Sequence, residues 1–513
     1  MSYPSIIVAP WGNPFTWAEV TYNLRGQGAG GSTQSVKART SLACLVRALN
    51  PKAVNLIIPE TLLCPGNKQR KEFEEYAKKP LEDILEVIDN DDYGNALKIL
   101  KSAIERFYEE HVLAKARGPT PYITLAPTIG EYRCGNRSYM WEIISKVDPI
   151  SAYAAYALTS IVSTVVKLNP KDEIILALDT THGLNYMPLA AYRATMAAAR
   201  ILSAGLNINV RFRQYNSAPY TRGVEKLDIF TVKEETITPN KAIQRLVYSY
   251  LAREPGKARP FLRAARLSSE LNRQLNMLQE RLKDLKELHE KVYSLASAIH
   301  FSMPLAFLQL GLMNRGTDIK KLINELDRIL GELLNYVEVA TDEKGRVRIR
   351  HIAVPRYDDI KSFLAATSIS SYATHALDVE KPPINSREGL VEASLILLEN
   401  VTNKWLKGPL LKVVEHEIST FRKAYQGEEV GGKIIRELIE KAIAREGEWV
   451  SLEDKCEEQV RIYVAHAGLV SNSIEIKVQK DQLHVRYRRQ CLEQLRNCLK
   501  GALKGTQKLI LGR

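Results

Sequence analysis

Short apolar runs alternate with helical patterns over the first 235 residues. Such alternation is typical of a mostly parallel sheet, because each return to the same edge of the sheet needs a connection long enough to form a helix. The charged stretch 66–117 interrupts the alternation with a helical pattern of its own. The sequence therefore predicts one α/β domain over 1–235 with a helical insertion at about 66–117. Strands are predicted at 6–9, 54–58, 122–125, 173–178, 207–212 and 228–232, and helices at about 35–49 and 188–202.

A long amphipathic segment follows this domain. Its apolar residues recur at spacings of three and four, which places them on one face of a helix. This face packs either inside its own chain or against a second chain in a coiled coil, and the pattern fits both. A β-hairpin is expected at 336–340 and 347–354, with its turn at 342–345. We predict a helical linker domain over 236–389. The residues of the face are Leu267, Leu271, Leu275, Leu278, Leu282, Leu285, Leu288, Val292 and Leu295.

The pattern is again helical from about residue 386 to the end, which predicts an all-α domain over 390–513. The expected fold class is therefore α/β plus all-α. The segment 149–166 carries no charge and is long enough to be tested as a membrane span, but it contains five serine and threonine side chains and a predicted strand follows it closely. We expect a buried helix there and no membrane partner.

The composition of the 513 residues is that of a folded protein, with 45% hydrophobic and 26% charged residues. The net charge of +13 favours an anionic partner such as nucleic acid, although a lysine-rich surface gives the same value. The six cysteines lack the close spacing of a zinc site, so reduced thiols and no metal are expected. The N-terminus has no basic region followed by an apolar run, and we expect a cytoplasmic protein.

Arg461 and His466 form a candidate catalytic pair. They lie five positions apart, about 500° of helical rotation, so both side chains can face one pocket if the helix ends near Gly468. In metal-free RNA cleavage the 2′-hydroxyl attacks the neighbouring phosphate, a guanidinium binds the charge that gathers there, and a histidine moves a proton or orients the phosphate. Many helices carry such a pair by chance, with the arginine solvated and the histidine bonded locally.

The chain is strongly basic after this pair. From residue 481 to residue 513, eight basic side chains stand against two acidic ones, a net charge of +6. This charge suits a phosphate backbone, and Arg486, Arg488 and Arg489 are the candidate RNA contacts. A solvated helix face has the same composition, so the charge supports nucleic-acid binding without establishing it.

Two predicted strands of the first domain end in polar loops. One continues into the run Asp-Thr-Thr-His-Gly-Leu-Asn-Tyr-Met-Pro, which starts at Asp179, and the other ends at Trp11, Gly12 and Asn13 before a Gly-rich stretch at 26–35. Open α/β sheets bind ligands at such strand ends, where helix N-termini suit phosphate or ribose. Plain capped turns are the alternative, and Trp11 either stacks on a base or packs in the core. Neither phosphate-binding fingerprint is matched, which argues against ATP hydrolysis and hydride transfer.

Both motifs resemble those of known families. The Arg, four residues, His-Ala-Gly-Leu pattern at Arg461 resembles the HEPN ribonuclease motif, and the run at Asp179 resembles the ligand-loop signature of CARF domains. CARF domain, helical linker and HEPN domain in this order resemble the auxiliary ribonucleases of type III CRISPR systems. The resemblance covers about 1–235 and 390–513. The residue after the arginine, often polar in the family, is Ile462 here, which leaves the hydrogen bonding around the pair open.

The resemblance implies a Rossmann-like parallel sheet and an activator, a cyclic oligoadenylate with cyclic tetra-adenylate as the expected ring, bound across the two-fold axis of paired CARF domains. It also implies a composite nuclease site in which Arg461 and His466 of two protomers face each other, so a homodimer or a higher oligomer of dimers is expected. No cofactor is implied. Carried over by position, the ring contacts are Trp11, Gly12, Asn13, Ser32, Thr33, Thr181, His182, Gly183 and Asn185.

These expectations combine into an allosteric, metal-independent endoribonuclease of antiviral defence that cuts single-stranded RNA. Two other functions stay open. A ligand-controlled DNA-binding regulator would keep its function without Arg461 and His466. A sensor or degrader of the cyclic messenger would cause no loss of RNA when the ligand is added.

Overall fold

The N-terminal half of the chain is a large sheet with helices on its faces. The computed structural model describes residues 3–24, 33–90, 92–221, 223–253, 257–406, 408, 410–431, 433–452 and 455–510, with side chains up to residue 501. The strands and helices of this half are, in chain order, β1 Ser5–Pro10, β2 Val20–Leu24, β3 Gln34–Ala38, α1 Ser41–Leu49, β4 Ala53–Pro59, α2 Arg70–Ala77, α3 Leu81–Asp89, α4 Tyr93–Tyr108, β5 Tyr122–Ala126, β6 Gly130–Cys134, β7 Arg137–Ile143, α5 Pro149–Leu168, β8 Ile174–Asp179, α6 Met187–Leu206, β9 Val210–Ser217, β10 Lys226–Ile237 and α7 Pro239–Leu251.

Eight strands form the main sheet in the order β3-β2-β10-β9-β8-β1-β4-β5. The strands from β9 to β5 are parallel, whereas β10 runs antiparallel to β9 and β3 antiparallel to β2. Strands β1 and β4 are buried along their whole length, because helices cover both faces of the sheet, and their sequences are accordingly continuous apolar runs. The predicted α/β architecture with a helical insertion is confirmed, with eight strands where five or six are predicted.

The chain between β1 and α1 differs from the prediction. The sequence predicts a loop up to residue 35 and a helix over 35–49, but β2 and β3 pair there as an antiparallel hairpin. Side chains of β3 alternate between the two faces, with Val36 and Ala38 buried, which is the period of a strand. The helix begins only at Ser41, where the Thr40 hydroxyl accepts a hydrogen bond from Leu42 N.

Helix α5 is a core helix. It is long and apolar enough to cross a membrane, but 83% of its apolar window is buried inside the protein, where it packs on α6, β4 and β5. Asp148 caps its N-terminus by accepting a hydrogen bond from Ser151 N, and Asn169 ends it in the left-handed conformation. The expected buried helix is confirmed.

A second, smaller sheet joins the N-terminal half to the middle of the chain. The predicted hairpin is present as β12 and β13, and β13 pairs in parallel with β7, giving the order β12-β13-β7-β6. The sequence prediction lacks β6 and β7, whose Gly135-Asn136 turn is the available signal. The elements of this middle part are β11 Leu262–Arg263, α8 Ser269–Arg281, α9 Lys283–His300, α10 Pro304–Met313, α11 Ile319–Leu333, β12 Val337–Thr341, β13 Val347–His351, β14 Ala353–Val354 and α12 Tyr357–Glu380.

The leucine-rich face packs inside its own chain. Leu275 and Leu295 are fully buried, and α9 contacts α7, α10 and α12. These contacts decide between the two open alternatives in favour of an internal partner. The single long helix that the pattern predicts is two helices, because the backbone leaves helical geometry at Leu282, between α8 and α9.

The C-terminal part is mainly helical, as predicted, but the prediction of helix throughout is wrong. Its elements are β15 Ile384–Asn385, β16 Leu390–Val391, β17 Ala393–Ser394, α13 Leu395–Trp405, α14 Leu411–Tyr425, α15 Lys433–Ala444, α16 Val460–Ala465, β18 Ile474–Gln479, β19 Gln482–Tyr487 and α17 Leu492–Ile510. Strands β17, β19 and β18 form a sheet. Side chains of β18 alternate in burial, and the hairpin turns at Lys480 and Asp481, both at positive φ, without the Asn or Gly that usually signals such a turn.

Four cysteines form disulfide bonds. Cys64 bonds Cys134 and Cys456 bonds Cys491, each with 5.5 Å between the Cα atoms. The expectation of reduced thiols is wrong for these four. Their sequence separations of 70 and 35 residues carry no pairing signal, and only the folded chain brings them together. Cys44 and Cys498 are free and buried.

Candidate functional sites

The Arg461–His466 motif lies on a short helix with a fixed end. Inside α16, the buried Tyr463 fastens the helix through its hydroxyl, which lies 2.7 Å from Ser473 Oγ. The backbone then leaves the helix at Ala467 and Gly468, with φ of 47° and 80°. Gly468 N donates to Tyr463 O at 2.8 Å and closes this turn. The helix therefore ends at Ala465 with His466 as its C-cap, close to Gly468 as the spacing of the motif predicts.

Gly468 is held by two other elements. The Tyr487 hydroxyl of β19 donates to Gly468 O at 2.9 Å. A Cβ at Gly468 would lie 2.8 Å from that same hydroxyl and 3.3 Å from Met303 Cβ, just before α10. The lack of a side chain permits this approach, so β19 and α10 both position the end of α16.

Arg461 presents an uncompensated charge. Its side chain is exposed on α16, and Nε donates to Gln459 Oε1 at 3.0 Å. Among the residues that the structure describes, no carboxylate oxygen lies within 4.0 Å of its guanidinium. A guanidinium in this state has free donors for a phosphate group.

His466 is exposed and lies beside a carboxylate. Its Nδ1 lies 3.3 Å from Glu417 Oε1 on α14. The imidazole is 46% exposed, whereas the Glu417 side chain is 9% exposed. The imidazole is therefore open to solvent, while its Nδ1 lies beside a nearly buried carboxylate.

The loop after β8 lies beside the end of β1, because these strands pair with Val8 opposite Leu178. The loop is organised by the buried Asp179, whose carboxylate accepts hydrogen bonds from Ser41 Oγ at 2.7 Å and from Thr181 N at 3.1 Å. Burial raises the pKa of Asp179, and these two hydrogen bonds oppose that rise.

The rest of the loop after β8 is tied closely to neighbouring segments of the protein. The Thr181 hydroxyl accepts a hydrogen bond from Ser217 N at 3.1 Å, which ties the loop to β9. A Cβ at Gly183 would lie 2.6 Å from Pro188 Cγ, so only glycine fits there. Asn185 is exposed and has a positive φ of 51°. The loop thus presents backbone and small polar groups at a strand end.

Two family models match the parts of the chain that carry these sites. The model for the CARF domain of the CRISPR system endoribonuclease Csx1 matches residues 6–219, and the model for its HEPN domain matches 409–489. Together they cover more than half of the chain. The chain belongs to the CRISPR-associated CARF–HEPN ribonucleases. It is similar to the CRISPR system endoribonuclease Csx1 of Methanocaldococcus jannaschii, with 20% identity over 479 residues that cover 92% of this chain and 86% of the relative. This CARF–HEPN ribonuclease is accordingly an endoribonuclease.

His182 of the CARF domain faces inward. Its ring stacks on Trp17 with 4.0 Å between the centroids, and Nε2 accepts a hydrogen bond from Ser41 N at 3.2 Å. The Tyr22 hydroxyl lies 3.2 Å from the same nitrogen. Burial lowers the pKa of His182 to about 3. The imidazole is therefore neutral and carries its proton on Nδ1, the one ring nitrogen left to contact a ligand.

Trp11 is in the core of the CARF domain and is not a stacking surface. It is 1% exposed and packs edge-on against Trp17 and Phe107, with ring centroids 5.2 and 5.9 Å away. The expectation of a ring contact at Trp11 is wrong, because the insertion helix α4 covers the indole. Trp17, which sequence reasoning missed, is the half-buried tryptophan beside the loop.

Gly12 and Asn13 make hydrogen bonds within the protein. Gly12 N donates to His182 O at 2.9 Å and links the two loops, and a Cβ at Gly12 would lie 2.4 Å from Leu184 Cγ. Asn13 Oδ1 accepts from Phe15 N at 3.1 Å, and its Nδ2 donates to Pro65 O at 3.1 Å. The amide of Asn13 thus caps the segment at Phe15 and binds Pro65 O, and its predicted contact with the ring stays a prediction.

The second predicted ligand loop is only partly described. Thr33 is exposed at the start of β3. Ser32 and the glycines before it lie outside the described residues. Their predicted contacts with the ring stay predictions.

The three arginines predicted to bind RNA separate into two groups. Arg486 and Arg488 are buried in the HEPN domain, at 8% and 6% exposure. Arg486 pairs with Glu475 and Glu388, each at 2.7 Å, and Arg488 Nη1 donates to Asn472 O at 3.0 Å. The prediction is therefore wrong for these two, because carboxylates and the Trp449 ring cover Arg486 on its face of β19, and the backbone carbonyl of Asn472 holds Arg488 just after the strand.

Arg489, just after β19, is exposed and remains a candidate RNA contact.

Glu417 is a further residue that sequence reasoning missed, since nothing near it in the sequence marks it as a partner of His466. Within the described ranges no group of three or more His, Cys, Asp or Glu side chains is arranged to hold a metal ion.

Proposed function

We propose that this CARF–HEPN ribonuclease is a metal-independent endoribonuclease of type III CRISPR defence, in which cyclic tetra-adenylate bound by the CARF domain activates cleavage of single-stranded RNA by Arg461 and His466. The observation that carries this proposal is an uncompensated guanidinium on a short helix of the HEPN domain together with an exposed imidazole at the end of the same helix. The net charge of +13 favours an RNA substrate. A cytoplasmic location agrees with this role.

The two side chains have complementary parts in the reaction. As the 2′-oxygen attacks phosphorus, its proton passes to Nε2 of His466, and the bond from phosphorus to the 5′-oxygen breaks. The imidazolium then returns that proton to the 5′-oxygen, leaving a 2′,3′-cyclic phosphate and a 5′-hydroxyl. Arg461 binds the negative charge that develops on the non-bridging oxygens. These groups supply acid–base and electrostatic catalysis from the chain itself.

A homodimer completes both sites in this proposal. Arg461 and His466 of two protomers face each other across the two-fold axis of the HEPN domains, and the CARF loops of the two protomers enclose the ring. The ring contacts that the geometry supports are Thr33, Thr181, Gly183 and Asn185, with His182 Nδ1 as a further donor and Gly12 shaping the loop. Activation requires that the ring bind two conformations of the dimer with different affinity.

The test combines the full-length protein with labelled single-stranded RNA, cyclic tetra-adenylate and a chelator of divalent cations. We expect ligand-dependent cleavage by the wild type. His466→Ala should reduce the rate by about 10²–10⁴-fold, because proton transfer is lost, and Arg461→Ala by about 10²–10³-fold, because charge stabilisation is lost.

His416→Ala, which removes an exposed histidine from α14, is the matched control and should cleave at the wild-type rate. Cleavage by His466→Ala at the wild-type rate contradicts the assignment of the site. Ligand-dependent DNA binding that survives both substitutions supports a regulator, and loss of the ring without loss of RNA supports a messenger degrader.

A further inference from the structure

Glu417 is an acidic residue on an apolar helix face. On α14, Val414, Ile418 and Phe421 point into the core with 0 to 3% exposure, and Glu417 lies among them at 7%. A carboxylate at such a position loses much of its hydration, which is costly unless a polar partner compensates. A helix gains nothing in packing from a glutamate there, so its partner is the informative feature.

The partner is His466. The distance from Glu417 Oε1 to His466 Nδ1 is 3.3 Å. Among the described residues, no other hydrogen bond or ion pair reaches this carboxylate. The neighbouring acid Glu415 is exposed on another side of α14. The one buried carboxylate of this helix therefore contacts the one histidine of the motif.

This contact determines which nitrogen of His466 is free. A carboxylate accepts but cannot donate a hydrogen bond, so its negative charge 3.3 Å from Nδ1 favours the ring form that carries the proton on Nδ1. In that neutral form Nε2 has a free lone pair, and the imidazole as a whole is 46% exposed. The turn at Ala467 and Gly468 holds the backbone, while Glu417 holds the ring.

We propose that Glu417 is a positioning residue for RNA cleavage, which selects the Nδ1–H tautomer of His466 and stabilises the imidazolium while it carries the proton. The proposal rests on the role of His466 given above. Glu417 does not touch the RNA in this scheme. It acts through the imidazole, as a buried carboxylate orients the histidine in hydrolases that use an acid–histidine pair.

The test measures kcat and KM for labelled RNA with saturating activator in Glu417→Leu and Glu417→Gln. Leucine removes the acceptor, and we expect kcat to fall about 10²-fold with KM within about twofold of wild type. Glutamine keeps an oxygen that accepts from Nδ1–H but removes the charge, so it should recover part of this loss and remain below the wild type. Glu415→Gln is the matched control on the same helix and should have the wild-type kcat.

A spectroscopic readout separates positioning from a structural effect. The ring nitrogens of His466 are followed by ¹⁵N NMR in protein labelled at histidine, and His466→Ala identifies the signal. The wild type should carry its proton on Nδ1, whereas Glu417→Leu should shift the population toward the Nε2–H form. A structural role for Glu417 leaves this tautomer unchanged.

The outcomes are distinguishable. A wild-type kcat in Glu417→Gln overturns the proposal even if the leucine variant fails to fold, and an unchanged His466 tautomer in a folded Glu417→Leu overturns it as well. If His466→Ala itself cleaves at the wild-type rate, the proposed catalytic site fails and not the contact alone. A loss of kcat in both Glu417 variants, with Glu415→Gln unaffected, supports the positioning role.

Discussion

His182 is enclosed by the Trp17 ring, the Tyr22 hydroxyl and the backbone N–H of Ser41. A charged imidazole in this place would lose the hydrogen bond from Ser41 N, since both nitrogens of the charged ring are donors. Burial therefore keeps the ring neutral. Protonation of His182 at low pH should therefore destabilise the folded form of the loop that carries the CARF signature.

The first prediction concerns the pH dependence of stability. The pKa of His182 is about 3 in the folded protein, against about 6.5 for a histidine in an unfolded chain. The unfolded state thus binds the extra proton between these values, and stability is lost as the pH falls below about 6.5. In this window the free energy of unfolding of the wild type should fall by about 1.4 kcal/mol per pH unit more than that of His182→Gln. Glutamine is a suitable replacement because its amide oxygen can still accept the hydrogen bond from Ser41 N.

Urea denaturation followed by tryptophan fluorescence at pH 7, 5 and 4 checks this. The comparison with His182→Gln cancels the contributions of other groups, including Asp179, whose raised pKa acts in the opposite direction. His416→Gln, a change at an exposed position, should follow the wild type. Equal slopes for wild type and His182→Gln would show that the ring takes up its proton without unfolding.

At the scale of elements, the end of α16 decides how the proposed catalytic pair is presented. Tyr463 holds the helix from inside and Tyr487 of β19 holds Gly468 from the neighbouring sheet. The helix has only six residues, too few to be stable by itself. Its geometry therefore comes from the elements packed around it.

The second prediction concerns Gly468→Ala. The substitution places a side chain at a positive φ, which costs about 1–2 kcal/mol, and adds a clash with the Tyr487 hydroxyl. We expect a larger loss of stability than in Gly427→Ala, where φ is 79° and nothing lies within 4 Å of the added methyl group. Cleavage should fall in Gly468→Ala and stay unchanged in Gly427→Ala. Thermal unfolding and the RNA assay measure both effects, and equal behaviour of the two variants would contradict a role for the Tyr487 contact.

At the scale of the whole molecule, two contacts join parts that are distant in the sequence. The small sheet joins the CARF domain to the middle of the chain through β7 and β13. In the C-terminal part, Arg486 of β19 pairs with Glu475 of β18 and with Glu388 and Glu392, which lie much earlier in the chain, before α13. Its guanidinium also lies 4.3 Å from the centre of the Trp449 ring.

The third prediction compares Arg486→Ala with Arg489→Ala. Removing Arg486 leaves three partly buried carboxylates close together without their partner, so the free energy of unfolding should fall by about 1–3 kcal/mol. Arg489→Ala should change stability by less than about 0.5 kcal/mol. It should also weaken RNA binding and reduce the salt slope by about 0.7, as expected for one lost contact with a single strand.

Chemical denaturation and fluorescence anisotropy with labelled RNA measure the two effects. If Arg486→Ala is as stable as the wild type and loses more RNA affinity than Arg489→Ala, then Arg486 binds RNA and its ion pairs with glutamates contribute little to stability.

Local patterns determined much about this protein. Apolar runs mark the central strands because both of their faces are buried, and the spacing of Arg461, His466 and Gly468 marks a helix end because glycine tolerates the turn that follows it. The polar run from Asp179 marks a strand end for the same kind of reason. Each of these signals lies within about ten residues and expresses a preference of the backbone or of one helix or strand.

The tertiary structure alone decided which of these side chains are available. Arg486 is buried among carboxylates from two segments, Trp11 is covered by the insertion, and Glu417 reaches His466 from 49 positions away. The two disulfide bonds and the internal partner of the leucine-rich face belong to the same class. Burial and pairing depend on which distant parts of the chain pack against a residue. Local sequence spacing does not contain this information.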